Sequence, residues 1–193
     1  MKNTAEISYY VREIALNNSQ IALKELYTCY FYDLLHYSMI YVNNSHDAEE
    51  VISDTFLSIW ENRKKLLEIS NFNSYIYTIV HNKSISQFRS MHIENQSIDT
   101  IPIDIFAYTD ITPENELISK EKIAEINSAI NSLPNKCKIA FKLVKENNLK
   151  YREVAEILNI SVKTLEAHLA TALKKIRESL ETGDEKRKSV IGL

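Results

Sequence analysis

Apolar residues in the first half of the chain recur every three or four positions, the spacing that places them on one face of an α-helix. Strict alternation of apolar and polar residues, which marks a half-buried strand, is almost absent from Ala5 to Arg89. We therefore expect this half to be a helical bundle. Its clearest apolar series consists of Ala22, Leu26, Tyr30, Phe31, Leu34, Leu35 and Met39.

Two further helices of this bundle are indicated by residues that favour helix starts. Asp47 and Glu50 can form a capping box at the first, which we expect to end near the basic run at residues 63–65. Asn71 is a candidate N-cap for the second. The predicted inward faces are Ala48, Val51, Ile52, Thr55, Phe56, Ile59 and Trp60 in the first, and Tyr75, Ile76, Ile79, Val80 and Phe88 in the second.

Helical periodicity stops in residues 91–118, which contain two prolines, six acidic residues and no lysine or arginine. We interpret this segment as a linker between domains. Periodicity resumes near Lys120, breaks at Pro134 and continues to Val144. Two shorter helices are then expected, the last of which reaches Leu180.

These patterns predict an all-α protein with two small helical domains. A chain of 193 residues is long enough for two small domains, each with its own core. The expected boundaries are residues 1–90 for the first domain and residues 119–182 for the second. A flexible acidic linker, residues 91–118, joins them, and residues 183–193 form a frayed tail.

Residues 149–176 have the spacing of a helix-turn-helix motif. Asn159 falls where the chain leaves the first helix, and asparagine tolerates the left-handed backbone that such a position commonly needs. Ser161 is placed to cap the second helix. The predicted apolar positions are Val154, Ala155 and Leu158 in the first helix, Ile160 in the turn, and Leu165, Leu169 and Ala172 in the second helix.

The spacing of this motif is also compatible with an ordinary helical bundle. The distribution of charge along the chain favours DNA binding instead. The net charge is only −3, but the segments differ: −5 in residues 1–60, +3 in 61–90, −6 in 91–135 and +5 in 136–178. Basic side chains bind phosphates without regard to base sequence. The last block contains Lys136, Lys138, Lys142, Lys145, Lys150, Arg152, Lys174, Lys175 and Arg177.

Glycine and cysteine usage exclude several classes of protein. Both glycines, Gly183 and Gly192, lie near the end of the chain, so residues 1–182 cannot form a glycine-rich phosphate loop. Cys29 and Cys137 lie in no metal-binding or disulfide pattern, which is typical of a reducing compartment. No uncharged apolar stretch has the length of a signal peptide or a membrane span, so we expect a cytoplasmic protein. No cofactor is expected.

Two parts of the chain together resemble a known family, one of them through two neighbouring segments. Residues 132–180 resemble the promoter-binding region 4 of sigma-70 family RNA polymerase sigma factors. Residues 47–63, DAEEVISDTFLSIWENR, and 71–90, NFNSYIYTIVHNKSISQFRS, resemble region 2 of the extracytoplasmic-function group. The two resemblances follow the family's order, and the short linker fits a group that lacks the intervening region 3 domain.

The resemblance implies a non-enzymatic subunit that binds core RNA polymerase, directs it to promoter DNA and helps open the minus-ten element. The linker would then pass through the polymerase channel, and an anti-sigma factor would be a further partner. No small-molecule substrate is implied. The family's polymerase-binding surface falls on Glu49, Glu50, Ser53 and Asp54, where Ser53 departs from the usual glutamine.

The resemblance also assigns two DNA-binding sets. For the minus-ten element the matching residues are Asn73, Tyr77, His81, Asn82, Lys83 and Arg89. Aromatic rings, amides and cations are suited to unpaired bases and phosphates. His81 and Ser86 replace residues that are often arginine and aspartate in relatives. We expect Phe72 and Tyr75 in the core and Tyr77 exposed.

For the minus-thirty-five element, the recognition helix lacks the arginines frequent in relatives, so readout through Glu166, methyl contacts or DNA shape is expected. His168 is predicted to pack between helices, because no second metal ligand lies at a suitable spacing. The full predicted set is Arg152, Ser161, Lys163, Thr164, Glu166, Ala167, Ala170, Thr171 and Lys174.

Two other functions are alternatives to this one. A dimeric regulator of the response-regulator type would use the same helix-turn-helix and bind specific duplex DNA without polymerase. A helical hydrolase would use carboxylates and one or more of the histidines, but no HExxH-type pair or nucleophile motif is present. Those histidines are His36, His46, His81 and His92.

Overall fold

The computed structural model describes the backbone of residues 4–42, 44–91, 118–145, 147 and 149–191, and side chains up to residue 90 and from 124 to 181 within these ranges. Every regular element in the described ranges is helical, so the all-α prediction is confirmed. The elements are α1 (Thr4–Asn17), α2 (Gln20–Val42), α3 (Ser45–Glu61), a short 3-10 helix (Arg63–Glu68), α4 (Phe72–Met91), α5 (Ile118–Asn131), α6 (Asn135–Lys145), α7 (Tyr151–Ile157) and α8 (Val162–Ile191).

The chain forms two compact units. The first contains Met1–Asn95 together with Arg152–Asn159, and the second contains Gln96–Tyr151 together with Ile160–Leu193. The predicted acidic linker lies almost entirely outside the described residues, and its boundaries stay predictions.

Helix α2 is the centre of the first unit and packs against α1, α3 and α4. Leu26 and Leu34 of α2, Ile52 of α3 and Ile76 of α4 are completely buried. Burial of an aliphatic side chain of this size contributes about 1.5 to 3 kcal/mol. Most of the other apolar positions predicted for these three helices are buried as well, which confirms the helical periodicity from which they were predicted.

The start of α3 differs from the prediction. The N-cap is Asn44, whose Oδ1 accepts a hydrogen bond from the backbone N–H of Asp47 at 2.8 Å. The expected capping box at Asp47 and Glu50 is therefore wrong: Asp47 lies in the first turn, where its charge favours the helix N-terminus. The predicted inward face is correct from Ala48 to Ile59, and Trp60 is half-buried.

The start of α4 agrees with the prediction. Asn71 Oδ1 accepts a hydrogen bond from the backbone N–H of Ser74 at 3.2 Å, as an N-cap does. Phe72 is buried, as expected, whereas Tyr75 is only half-buried and packs on the Phe72 ring with centroids 6.2 Å apart.

The core of the second unit is formed by helices α5 and α6, both of which pack on α8. Ile130, Leu133, Cys137 and Ala172 form one buried cluster, against which Phe141 and Ile176 pack. The predicted break at Pro134 is confirmed, because α5 ends at Asn131 and α6 begins at Asn135.

The turn between α7 and α8 has the predicted chemistry. Asn159 has φ of 52°, so it adopts the left-handed backbone expected for the end of α7. Ser161 Oγ accepts a hydrogen bond from the backbone N–H of Thr164 at 3.0 Å, which confirms Ser161 as the cap of α8.

The length of the last helix was predicted wrongly. Helix α8 does not end near Leu180 but continues to Ile191. Between Glu181 and Ile191, Gly183 is the one residue that strongly disfavours a helix. A single glycine inside a helix costs only about 1 kcal/mol relative to alanine. Charged residues that favour helices follow it, so the expected frayed tail is helical as far as Ile191.

The left-handed residue gives a stability prediction. Asn159→Ala should lower the free energy of unfolding by about 1 kcal/mol, because a residue with a Cβ atom and no polar side chain is unfavourable at positive φ. Asn159→Gly should match or exceed the wild type, since glycine has no such penalty. Urea unfolding followed by far-UV circular dichroism measures both variants, and an equal loss in the glycine variant would contradict the backbone explanation.

Candidate nucleic-acid interface

The predicted polymerase-binding residues all lie on the solvent face of α3. Glu49, Glu50, Ser53 and Asp54 are exposed, whereas the intervening Val51 and Ile52 and the following Thr55 and Phe56 are buried. Ser53 Oγ donates a hydrogen bond to the Glu49 carbonyl oxygen at 2.8 Å, so part of its polarity is used within the helix. The structure thus brings the four predicted residues together on one acidic face.

The sequence did not single out Leu57, which extends this acidic face by one turn. Its side chain is 55% exposed, and it lies four residues after Ser53 on the same side of the helix. An exposed leucine beside a row of acids combines apolar area with charge, as protein interfaces commonly do. The helical period that identifies the buried residues of α3 also places position 57 on the outer face. This period could therefore have indicated Leu57 from the sequence.

Helix α4 presents a second surface beside α3. Asn82 and Arg89 are exposed, as the prediction of DNA contacts requires. Lys83 is partly exposed, and its Nζ lies 3.7 Å from Asp54 Oδ2 of α3. One turn further along, Gln87 Nε2 donates a hydrogen bond to Glu50 Oε2 at 3.4 Å. Polar contacts therefore join the two predicted surfaces along their common edge.

Three of the six predicted minus-ten residues point toward α2 instead. Tyr77 is buried, with 2% of its surface exposed, and its ring centroid lies 5.5 Å from that of Tyr37. The prediction that Tyr77 is exposed is wrong, and its ring is not available to stack on a base. The half-buried Asn73 accepts a hydrogen bond from the hydroxyl of Tyr30.

His81 is the third residue of this inward set. Its Nδ1 lies 3.0 Å from the hydroxyl oxygen of Tyr37 and 2.9 Å from that of Tyr41. Those two hydroxyl oxygens are 3.2 Å apart, so the three atoms form a closed triangle. Burial lowers the pKa of His81 to about 4, which keeps the imidazole neutral near pH 7. Burial also raises the pKa of both tyrosines, which keeps their hydroxyls protonated.

The predicted recognition face of α8 is exposed throughout. Thr171 Oγ1 donates a hydrogen bond to the Ala167 carbonyl oxygen at 2.9 Å, so its methyl group is the more available part of the side chain. Lys174 Nζ lies 3.8 Å from the carboxylate of Glu178. The exposed members are Ser161, Lys163, Thr164, Glu166, Ala167, Ala170, Thr171 and Lys174, and Arg152 of α7 is exposed too.

His168 lies beside this face and is half-buried. Its Nδ1 is 3.9 Å from Cys137 Sγ of α6, which agrees with the predicted packing role. Burial raises the pKa of the Cys137 thiol, so the thiol is a poor nucleophile.

The described part of the chain was not found to contain a metal site or a membrane span. No group of three or more histidine, cysteine, aspartate or glutamate side chains could hold a metal ion there. No helix in these ranges is long and apolar enough to cross a membrane.

Comparison with known families decides between the possible functions. The family model described as Sigma-70 region 2 matches residues 26–92, and that of Sigma-70 region 4 matches residues 123–176. The chain belongs to the sigma-70 family. It is a sigma factor of the extracytoplasmic-function group, a family of non-enzymatic transcription initiation factors. A response-regulator architecture is not favoured, since region 2 accounts for most of the first half.

Individual relatives agree with this assignment. The chain is 24% identical over 159 residues to RNA polymerase sigma factor SigZ of Bacillus subtilis strain 168, covering 82% of this chain and 87% of SigZ. It is 24% identical over 146 residues to the ECF RNA polymerase sigma factor SigW of the same organism, covering 72% of this chain and 78% of SigW.

Two solved structures have the same fold. One is CnrH in complex with the cytosolic domain of CnrY, with a TM-score of 0.60 and 17% identity over 92% of this chain and 98% of that chain. The other is RpoE of Bartonella quintana in complex with the anti-sigma factor NepR, with a TM-score of 0.59 and 21% identity over 82% of this chain and 96% of that chain.

The low pKa of His81 predicts how the stability of this sigma factor depends on pH. In the folded protein the pKa is about 4, below the ordinary 6.5, so the unfolded chain binds the proton first as pH falls. The stabilisation is therefore complete above about pH 6.5 and is lost as pH falls toward 4.

Urea unfolding followed by fluorescence of Trp60, the single tryptophan, measures this effect in the first unit. Between pH 7.5 and pH 5, the wild type should lose about 1 to 2 kcal/mol more stability than His81→Asn, which cannot titrate. Equal losses in the two proteins would show that His81 does not titrate differently in the folded and unfolded states.

Proposed function

We propose that this sigma factor docks on core RNA polymerase through the outer face of α3. The observation that carries the proposal is the row of four exposed polar side chains at positions 49, 50, 53 and 54, whose opposite face is buried in the first unit. An acidic helix face is suited to a basic helix or groove on a partner, where charge complementarity selects the partner and speeds association. The exposed Leu57 adds apolar contact area.

Promoter DNA is assigned to two other surfaces. The outer face of α4, with Asn82 and Arg89, would hold the opened minus-ten element through amide and phosphate contacts. The exposed face of α8 would enter the major groove of the minus-thirty-five element. There Glu166 can accept a hydrogen bond from a cytosine amino group, and Ala167 and Ala170 can contact thymine methyl groups.

The wider organisation follows from these assignments. Residues 1–90 would bind polymerase and the minus-ten element, and residues 119–182 the minus-thirty-five element. The acidic linker, 91–118, would occupy the polymerase channel in place of nucleic acid. The protein would act in the cytoplasm as a specificity subunit without enzymatic activity. Both solved relatives are complexes, one with CnrY and one with the anti-sigma factor NepR, which supports an anti-sigma factor as a partner here.

The most direct experiment is transcription of a pool of genomic fragments by purified core polymerase, with and without this protein, with mapping of the RNA starts. We expect discrete new starts that share two upstream sequence elements. No new starts, together with failure to co-purify with core polymerase, would contradict the proposal.

The α3 surface gives the first substitution to test. Asp54→Lys should weaken binding to core polymerase at least about tenfold, because it reverses a charge within the proposed contact and faces Lys83. Glu25→Lys, an equal charge change at an exposed position of α2, is the matched control and should leave the affinity nearly unchanged. Fluorescence anisotropy of labelled protein measures both, and unchanged affinity for Asp54→Lys would remove α3 from the docking surface.

The α4 surface gives the second substitution. Asn82→Ala should impair promoter opening more than polymerase binding, because its exposed amide is proposed to contact DNA only after the strands separate. Asn17→Ala, also an exposed asparagine within a helix, is the control. Permanganate reactivity of the minus-ten thymines reports opening, and normal reactivity with Asn82→Ala would exclude the proposed role.

A further inference from the structure

The triangle of Tyr37, Tyr41 and His81 determines which nitrogen of the imidazole carries a proton. Tyr37 and Tyr41 are almost completely buried, with 2% and 1% of their surfaces exposed. Their hydroxyls have no hydrogen-bond partners among the described residues other than each other and His81 Nδ1. Every proton of the two hydroxyls must therefore be accepted inside the triangle.

Only one tautomer meets this requirement. If Nδ1 accepts, one hydroxyl donates to Nδ1 and the other donates to its neighbouring hydroxyl, so both protons are bonded. If Nδ1 carries a proton, it donates to one hydroxyl, that hydroxyl donates to the second, and the second has no acceptor left. A buried donor without an acceptor costs about 1 to 3 kcal/mol. The neutral imidazole thus carries its proton on Nε2.

The Nε2 atom lies on the ring edge that faces away from the triangle. It has no hydrogen-bond partner among the described residues, and it is not fully buried. It is therefore reached by solvent. The next residue of α4, Asn82, is exposed and belongs to the proposed minus-ten surface.

We propose that Tyr37 and Tyr41 hold His81 as the Nε2–H tautomer and so present a neutral hydrogen-bond donor to an acceptor of the opened minus-ten DNA. The acceptor is an oxygen or nitrogen of a base edge, or a phosphate oxygen. This inference rests on the proposed function of α4. Because the imidazole is neutral, this donor carries no charge.

A neutral donor and a cation differ in their response to salt. Each lysine or arginine that neutralises a phosphate steepens the fall of DNA affinity with salt by about one unit of the logarithmic slope. Replacing His81 by an uncharged side chain should therefore leave this slope unchanged. His81→Arg should steepen it by up to about one unit if the acceptor is a phosphate.

Two isosteric variants separate the inner and outer edges of the ring. His81→Asn places a carbonyl oxygen near Nδ1, which accepts from the tyrosines, but removes the outer donor. His81→Gln places an amide N–H near Nε2 and removes the inner acceptor. Promoter opening, followed by permanganate reactivity with core polymerase present, should fall about fivefold to tenfold in His81→Asn and by no more than about twofold in His81→Gln.

Stability should change in the opposite order. His81→Gln leaves the tyrosine hydroxyls without their acceptor and should lose more of its free energy of unfolding than His81→Asn. This reversal separates a DNA-contacting role from a merely structural one, since a structural role would impair opening and stability together. Normal opening in His81→Asn would overturn the proposal.

The tautomer of His81 can be determined directly in the wild-type protein. Nitrogen-15 NMR of the wild-type protein should show the His81 proton on Nε2 near pH 7, and a proton on Nδ1 would overturn the inference. Methylphosphonate linkages and abasic sites in the minus-ten strand identify the acceptor. Insensitivity of the His81→Asn defect to all of these changes would exclude a DNA contact.

Failure of the proposed function of α4 can be distinguished from failure of the His81 inference. If wild-type protein opens no promoter, the assignment of α4 to DNA is wrong. If the wild type opens the promoter and Asn82→Ala is defective while His81→Asn is normal, only the His81 inference is wrong.

Discussion

The polar seam between α2 and α4 is the constraint on which the first unit depends. Three tyrosine hydroxyls of α2 meet Asn73 and His81 of α4, and Ser38 Oγ lies 2.9 Å from Ser84 Oγ. Buried polar groups are costly unless they are paired, and a slide or rotation of α4 would break these pairs together. An apolar seam would tolerate such a shift more easily. The seam therefore specifies one register between the two helices.

This register determines which side chains of α4 are exposed to solvent. Residues 73, 77, 81 and 84 follow helical spacing and face α2, so Asn82 and Arg89 must face outward. The position of α3 depends on both neighbours, since it packs against α2 and α4. Its buried stripe fixes the direction of the acidic face, and the contacts of Lys83 and Gln87 with Asp54 and Glu50 fix the common edge. A surface for polymerase and a surface for DNA are thus held side by side.

Much of the fold could be predicted because the relevant signals are local. Apolar positions three and four apart identified the buried side of α3, and Asn71, Asn159 and Ser161 marked helix ends by their own backbone chemistry. The cap of α3 was missed because Asn44 and Asp47 are both good capping residues three positions apart. The full length of α8 was missed because the favourable residues after Gly183 outweigh that single glycine.

The inner and outer sides of α4 were harder to predict. Tyrosine, histidine and asparagine are amphipathic, so their type does not say whether they face a core or DNA. Tyr77 was expected outside because an aromatic ring suits an unpaired base, but the tyrosines contributed by α2 form a polar core that accepts it. Only the three-dimensional pairing of two distant helices reveals this, and the same pairing defines the role of His81. The surface residues of α3 and α8 lie where the family resemblance implied, and their roles stay proposals.

The central claim is that α3 contacts polymerase while α4 and α8 contact promoter DNA. Hydroxyl-radical footprinting of the full chain, first with core polymerase and then with promoter fragment added, tests it most directly. We expect the side chains of α3, including Leu57, to lose reactivity with polymerase alone. The outer faces of α4 and α8 should lose reactivity only in the second step, when promoter DNA is added. Undiminished reactivity of α3 in the presence of polymerase would contradict the claim.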